Sequence, residues 1–256
     1  MKKLNFVELI FTKVQLNLKS EAAKSYLSYL WWILEPAMFV GVFYVVFGTF
    51  LARGTDGFLI FLLCGQIPFL WLARTISNSA SSIEQGRGLM QQLEIPKIFF
   101  PLVVIAQDFV KSIIVFLLLF LFIYAYTGHV SITWLSLPVI MMVQLILISI
   151  ISIFVAMAVP FMPDFRFLVV TGIQLLMFGS GIFYSYKDVL LPEHQSLFLL
   201  NPVANLITQY RCVLIDGNWP DWNALFNISI FSCLFFLILL FILNKIDALY
   251  PRVLVQ

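Results

Sequence analysis

Six apolar runs decide what this chain can fold into. They lie near residues 30–52, 57–80, 102–127, 131–159, 166–185 and 224–244. Each approaches or exceeds the roughly twenty residues that an α-helix needs to cross a bilayer. In hydrocarbon every backbone N–H and C=O must find its partner within the protein, so runs of this length fold as helices. The chain is 62% hydrophobic and only 11% charged, whereas soluble domains carry about one quarter charged residues. The expected architecture is an all-α membrane protein with six transmembrane helices in a domain spanning residues 30–256. An even number of crossings puts both termini on one side.

Residues 1–29 precede the first run. Val7, Ile10, Phe11, Val14 and Leu18 fall along one helical stripe, with Lys3, Glu8, Thr12, Gln15 and Lys19 largely opposite. That pattern predicts an amphipathic helix lying in the membrane interface, its apolar side in lipid. It lacks the compact apolar core and small-residue cleavage site of a signal peptide. The positive-inside rule sets the orientation. Ten basic residues in tails and loops fall on the face of the termini, among them Lys2, Lys3, Lys13, Arg87, Lys97, Arg166 and Lys245, against three on the other, Arg53, Lys187 and Arg211. Both termini and the loop 81–101 are therefore expected in the cytoplasm.

That loop is the longest polar interruption in the first half of the chain. Gly86 and Gly88 loosen its backbone, Leu89, Met90, Leu93 and Ile95 recur at roughly helical spacing, and Pro96 and Pro101 close it. The residues fit either a short amphipathic surface helix or an ordinary solvated loop. The segment 186–223, on the opposite face, holds apolar patches such as Leu197-Phe198-Leu199-Leu200 that are too short to span. Two short helices dipping back toward the bilayer fit it best, since such backbone survives only when buried in protein or lining a cavity.

Four charged residues fall inside the predicted spans, where ionisable groups are costly and usually paired. Glu35 is near the start of the first, Arg74 near the end of the second, and Asp108 and Lys111 lie two to three turns into the third. All four belong to the cytoplasmic half, and Asp108 and Lys111, three apart, can face one another. They are expected to form a neutral network tying the first three spans together; the alternative is that Glu35 and Arg74 reach the headgroups by snorkelling.

The run Gly88 to Pro101, together with Tyr29-Leu30-Trp31-Trp32-Ile33-Leu34-Glu35-Pro36 upstream and Asn201-Pro202 with Arg211 downstream, resembles the ABC-2-type polysaccharide export permeases, the membrane subunits of O-antigen, capsule and teichoic-acid exporters. The resemblance covers nearly the whole chain. It implies a bacterial inner-membrane permease for undecaprenyl-linked polysaccharide, O-antigen first and capsule or teichoic acid as alternatives. It implies a separate nucleotide-binding subunit that holds ATP and Mg, with Glu84, Gln85, Arg87, Leu89, Met90, Leu93, Pro96 and Lys97 as the surface that subunit pushes on. It also implies re-entrant gate helices before the last span, with Leu199, Asn201, Pro202, Leu206 and Arg211 in the gate segment.

No P-loop, GxSxG or HExxH pattern occurs in the sequence, so neither ATP binding of that kind nor hydrolysis is expected on this chain, and no catalytic residue is assigned. Cys64, Cys212 and Cys233 lie far apart, and His129 and His194 stand without acidic neighbours at ligand spacing, so no metal site is expected either. Six spans are too few to enclose a wide conduit, which predicts a homodimer with the path at its interface, in contact with membrane lipids and no nucleic acid. Sugar C–H faces stack on aromatic rings, so Trp31, Phe43, Tyr44 and Phe47 on the first span are candidates to line that path, against the commoner reading of belt and core packing. A drug or lipid exporter and a membrane-embedded enzyme are the competing classes.

Overall fold

The structure is a computed structural model that describes residues 5–24, 28–43, 45–46, 57–92 and 95–246. Among these residues the fold is entirely helical. Helix α1 (Phe6–Lys24) is followed by α2 (Ser28–Phe43), α3 (Phe58–Ala80), two single turns α4 (Ser82–Gln85) and α5 (Arg87–Met90), and α6 (Phe99–Thr127). A 3-10 turn, Ile132–Ser136, leads into α7 (Leu137–Ala158), and then come α8 (Phe165–Gly179), α9 (Tyr186–Val189), α10 (Pro192–Phe198), α11 (Pro202–Leu214) and α12 (Trp222–Ile246). Among the described residues four helices are long and apolar enough to cross a membrane: Phe58–Ala80, Phe99–Thr127, Ile132–Ala158 and Trp222–Leu239.

Helix α3 is the axis of the bundle, packed against α6, α7 and α11. Leu62, Cys64, Leu72 and Ile76 of α3 meet Phe116 and Ile123 of α6, Ile140 and Ile148 of α7, and Ile207 and Tyr210 of α11 in one continuous core. Polar side chains brace it. Tyr210 Oη donates to Gln144 Oε1 at 2.7 Å, and Gln144 Nε2 donates to the carbonyl of Pro68 at 2.8 Å, so one buried chain of hydrogen bonds joins α11, α7 and the proline turn of α3. In contrast, α12 turns Phe226, Phe231, Leu237 and Phe241 outward, the surface expected of a lipid-facing helix.

A second core closes one end of the bundle. Val14 of α1, Ile83 of α4, Phe99, Phe100 and Val103 of α6 and Ala156 of α7 pack together there. The short helices α9 and α10 and the loop 215–221 cap the other end, with α11 wedged between α3 and α7. Residues 82–92 and 95–101 on one hand and the segment 186–223 on the other thus lie at opposite ends of the molecule.

Several expectations are corrected. The apolar stripe of α1 does not face lipid alone: Val14 is buried, with Ile10 and Leu18 beside it, while Val7 and Phe11 stay exposed. Residues 82–92 and 95–101 fold back into an apolar platform, which gives α1 a core to join. The loop itself forms two separate turns, α4 and α5, rather than one amphipathic helix, and Gly86 between them is fixed by packing. A Cβ there would lie 2.1 Å from the Phe100 ring, so the glycine permits a close approach instead of loosening the backbone. The fifth apolar run stops at Gly179, six residues short of the expected boundary, where a turn runs through Gly181 at φ 67°. At about 1.5 Å per residue the 15 residues of α8 cover roughly 22 Å, less than a hydrocarbon core of about 30 Å.

Candidate functional site

The charged cluster forms around α6, with Lys111 beside Asp108 as expected and Glu21 of α1 as a further acidic partner. Lys111 Nζ lies 2.7 Å from Glu21 of α1 and 3.6 Å from Asp108 one turn earlier on its own helix. Asp108 also accepts a 2.9 Å hydrogen bond from Asn78 Nδ2 of α3. The side chain of Asp108 is 3% exposed, that of Lys111 9% and that of Glu21 41%. One turn back, Gln107 donates to Glu21 and accepts from Asn17 Nδ2 at 3.1 Å. The cluster therefore joins α1, α3 and α6. Arg74 lines a cavity of about 30 Å³ with Trp71, Asp108, Lys111 and Ser112, and so belongs to the same neighbourhood. The side chain of Glu35 lies outside the described residues.

On its other flank the cluster borders a polar groove of about 410 Å³, walled by Asn17, Glu21, Asn78, Gln85, Gln107 and Asp108. Glu21, Asn78 and Gln107 were not picked out from the sequence. A signal was available: Asn17 and Glu21 are four apart on α1 and share one helical face, and Gln107-Asp108 with Lys111 interrupts an otherwise apolar run.

The residues expected to meet an ATPase occupy the same end. Glu84 of α4 is ion-paired with Arg166 at the start of α8, which ties the loop to the α7–α8 turn. Arg87, Gln85 and Pro96 are exposed, and Lys97 is half-buried. Leu89 and Met90 are half-buried against the core formed by Val14 and Phe100. They serve the protein's own packing first, and the outward face of the loop is made by Gln85, Arg87, Gly88, Gln91 and Gln92. Leu93 lies outside the described residues.

At the opposite end Asn201 caps α11. Its Oδ1 accepts from Val203 N at 3.0 Å, and its Nδ2 donates to Ser180 Oγ at 3.1 Å, with Pro202 in the first turn as helix starts favour. Leu206 is buried in the main core, and Leu199 is half-buried. Arg211 reaches back across α3. Its Nη1 donates to Gly181 O at 2.7 Å and its Nη2 to Ile182 O at 2.8 Å, while Nε and Nη2 share Phe61 O at 3.3 and 3.2 Å. The guanidinium carbon also stands 3.4 Å from the centre of the Phe61 ring, a close cation–π contact. One side chain thus clamps α11, the start of α3 and the turn after α8.

Of the aromatic residues proposed for a path, Trp31 is exposed on α2. The side chain of Phe43, and Tyr44 and Phe47 altogether, lie outside the described residues. Among the described residues no group of three potential metal ligands comes together.

Over most of its length the chain is similar to curated export proteins. It is 25% identical over 230 residues to the O-antigen export system permease protein RfbA of Myxococcus xanthus, which covers 88% of this chain and 86% of that protein. It is 26% identical over 213 residues to a Klebsiella pneumoniae protein of the same name, covering 82% of this chain and 81% of the relative. Similarity to the polysialic acid transport protein KpsM of Escherichia coli runs at 25% over 233 residues, 88% of this chain and 87% of the relative. No family profile matches the chain.

Proposed function

We infer that this chain is an ABC-2-type polysaccharide export permease, with O-antigen as the first substrate class. The observation that carries the reading is similarity over 82–88% of this chain to proteins named for O-antigen export and for polysialic acid transport, joined to a helical fold with four helices long and apolar enough to span among the described residues. The KpsM relatives favour capsular polysaccharide as the second reading.

The finer picture is built on that premise. Helix α2 with the apolar residues that follow it in sequence, and α8 with the turn after it, supply the remaining two crossings. Local thinning of the bilayer accommodates the short α8, and α9 to α11 form re-entrant gate helices. Both termini and residues 82–101 face the cytoplasm of a bacterial inner membrane. A separate ATPase subunit binds ATP and Mg and docks against Gln85, Arg87, Gln91 and Gln92 beside α1. Two copies enclose the path for an undecaprenyl-linked polymer. The apolar helix α8 supports this, since none of its residues is buried and Phe167, Leu168, Leu175 and Phe178 are exposed.

The test is a deletion strain. Surface polysaccharide should disappear while lipid-linked polymer accumulates inside the cell, and an affinity-tagged chain should bring down an ATPase subunit. Unchanged surface polymer, with no ATPase recovered, would return the chain to the enzyme or scaffold class.

A further inference from the structure

The end of the molecule capped by α9 and α10 carries a pocket that the charged cluster and the coupling loop do not involve. It measures about 490 Å³, within the roughly 300–1,000 Å³ of small-ligand sites. Three aromatic residues line it, Phe61 at the start of α3, Tyr186 on α9 and Trp219 in the loop before α12. Polar groups come from Lys187, Thr208 and Asp216. Resting on the reading of the chain as a polysaccharide permease, we propose that this pocket is a saccharide-binding site, formed within one protomer, that holds one or two sugar units of the exported polymer.

The lining chemistry separates a sugar from an anionic headgroup. Arg211 also borders the pocket, but four of its five N–H groups are committed to the carbonyls of Phe61, Gly181 and Ile182. Its charge therefore serves the clamp and is poorly available to a phosphate. The remaining cation, Lys187, is matched by Asp216 and Asp221 in the same lining, so the rim offers no net positive field. Mixed donors and acceptors beside aromatic faces suit a neutral polyol: hydroxyls bond to carboxylate, ammonium and hydroxyl groups, and C–H faces lie against rings. The side chains of Lys187 and Asp216 make no hydrogen bond or ion pair among the described residues, which leaves them free to bond a ligand. Trp219 is 51% exposed and stands 6.3 Å from Trp222 between ring centres, so a broad ring surface faces the pocket end of the molecule.

Cys212 lines the same pocket and reports on it directly. With Cys64 buried, a Cys233→Ser background leaves Cys212 as the accessible thiol. The full-length protein is purified with its native lipids, and the rate of Cys212 modification by a charged maleimide is measured. The probe is a set of oligosaccharides, two to four sugars long, released by mild acid from the surface polysaccharide of the organism that carries the protein. For a millimolar site, roughly 10 mM oligosaccharide slows labelling about tenfold. Trp219→Ala, a change at an exposed ring, labels at one rate with or without oligosaccharide, and Asp216→Asn shows reduced protection. Equal rates for the unsubstituted pocket overturn the proposal, as does protection by glycerol phosphate at the same concentration without protection by the saccharides. A deletion strain that loses surface polymer, combined with an unprotected Cys212, would keep the permease reading and remove only the site.

Discussion

Gly86 and Gly88 look alike in the sequence and differ completely in the fold. Gly86 is buried, and a methyl group there would overlap the Phe100 ring, itself held edge-on against Phe99 with ring centres 5.5 Å apart. Gly88 has nothing within 4 Å of where its Cβ would be. Gly86→Ala should therefore cost about 1–3 kcal/mol by overpacking, while Gly88→Ala, in a helical turn, should be neutral or slightly stabilising. Thermal unfolding of the two purified variants checks this, and equal midpoints would show that Phe100 can move aside. Arg211 makes a similar point about chemistry. A lysine keeps the charge, but its three donors radiate from one nitrogen and cannot reproduce the spread guanidinium fork that reaches the carbonyls of Phe61, Gly181 and Ile182. Arg211→Lys should destabilise the protein by at least about 2 kcal/mol, the scale of hydrogen bonds to a charged group. Retention of the unsubstituted melting temperature would mean that the clamp contributes little.

Among the elements, α1 and α6 depend on each other most visibly, because α1 supplies the carboxylate that meets Lys111. Among the described residues Lys111 has two acidic partners that differ sharply in burial, and this predicts an order of damage. Lys111→Ala leaves Asp108 buried without its nearest cation, a loss of about 3–5 kcal/mol for a broken buried pair. Glu21→Ala removes a half-exposed partner and should cost about 1 kcal/mol or less. Yield and melting temperature of the two variants, measured in the same detergent, give the order, and a more severe Glu21→Ala would place the weight of the cluster on α1. The sequence made Asp108 and Lys111 legible because charge inside a twenty-residue apolar run is expensive and therefore conspicuous. Glu21 lies in a polar stretch where a carboxylate costs nothing; its spacing from Asn17 marks a shared helical face, but nothing in the sequence pairs that face with Lys111. The four long apolar helices were likewise legible to within a few residues, because length and hydropathy alone fix them. The early end of α8 and the split of the polar loop into α4 and α5 were not, since both depend on tertiary contacts made by Gly181 and Gly86.

At the scale of the whole molecule the question is which end faces which compartment. The two ends are built differently. One carries α1, α4 and α5, with exposed Arg87, Gln91 and Gln92, and basic residues favour the cytoplasmic side. The other carries α9, α10 and the exposed stretch Ile215–Trp219, whose tryptophan suits a membrane–water boundary. In a chain stripped of its own cysteines, Gln91→Cys should therefore resist an impermeant maleimide in intact cells and react once the membrane is opened, while Asn218→Cys should react in intact cells. Native Cys212 adds a pH dimension to the same assay. Burial, with the nearby Asp216 carboxylate, pushes its thiol above the ordinary range, and Lys187 only partly offsets this. The thiolate is the reactive form, so a raised pKa means less of it at any pH below that value. Labelling of Cys212 should be slower than that of Asn218→Cys at neutral pH, and the gap should narrow as the pH rises through the raised pKa. Reaction of Gln91→Cys in intact cells would invert the molecule in the membrane, and with it the assignment of the α1 end to an ATPase partner.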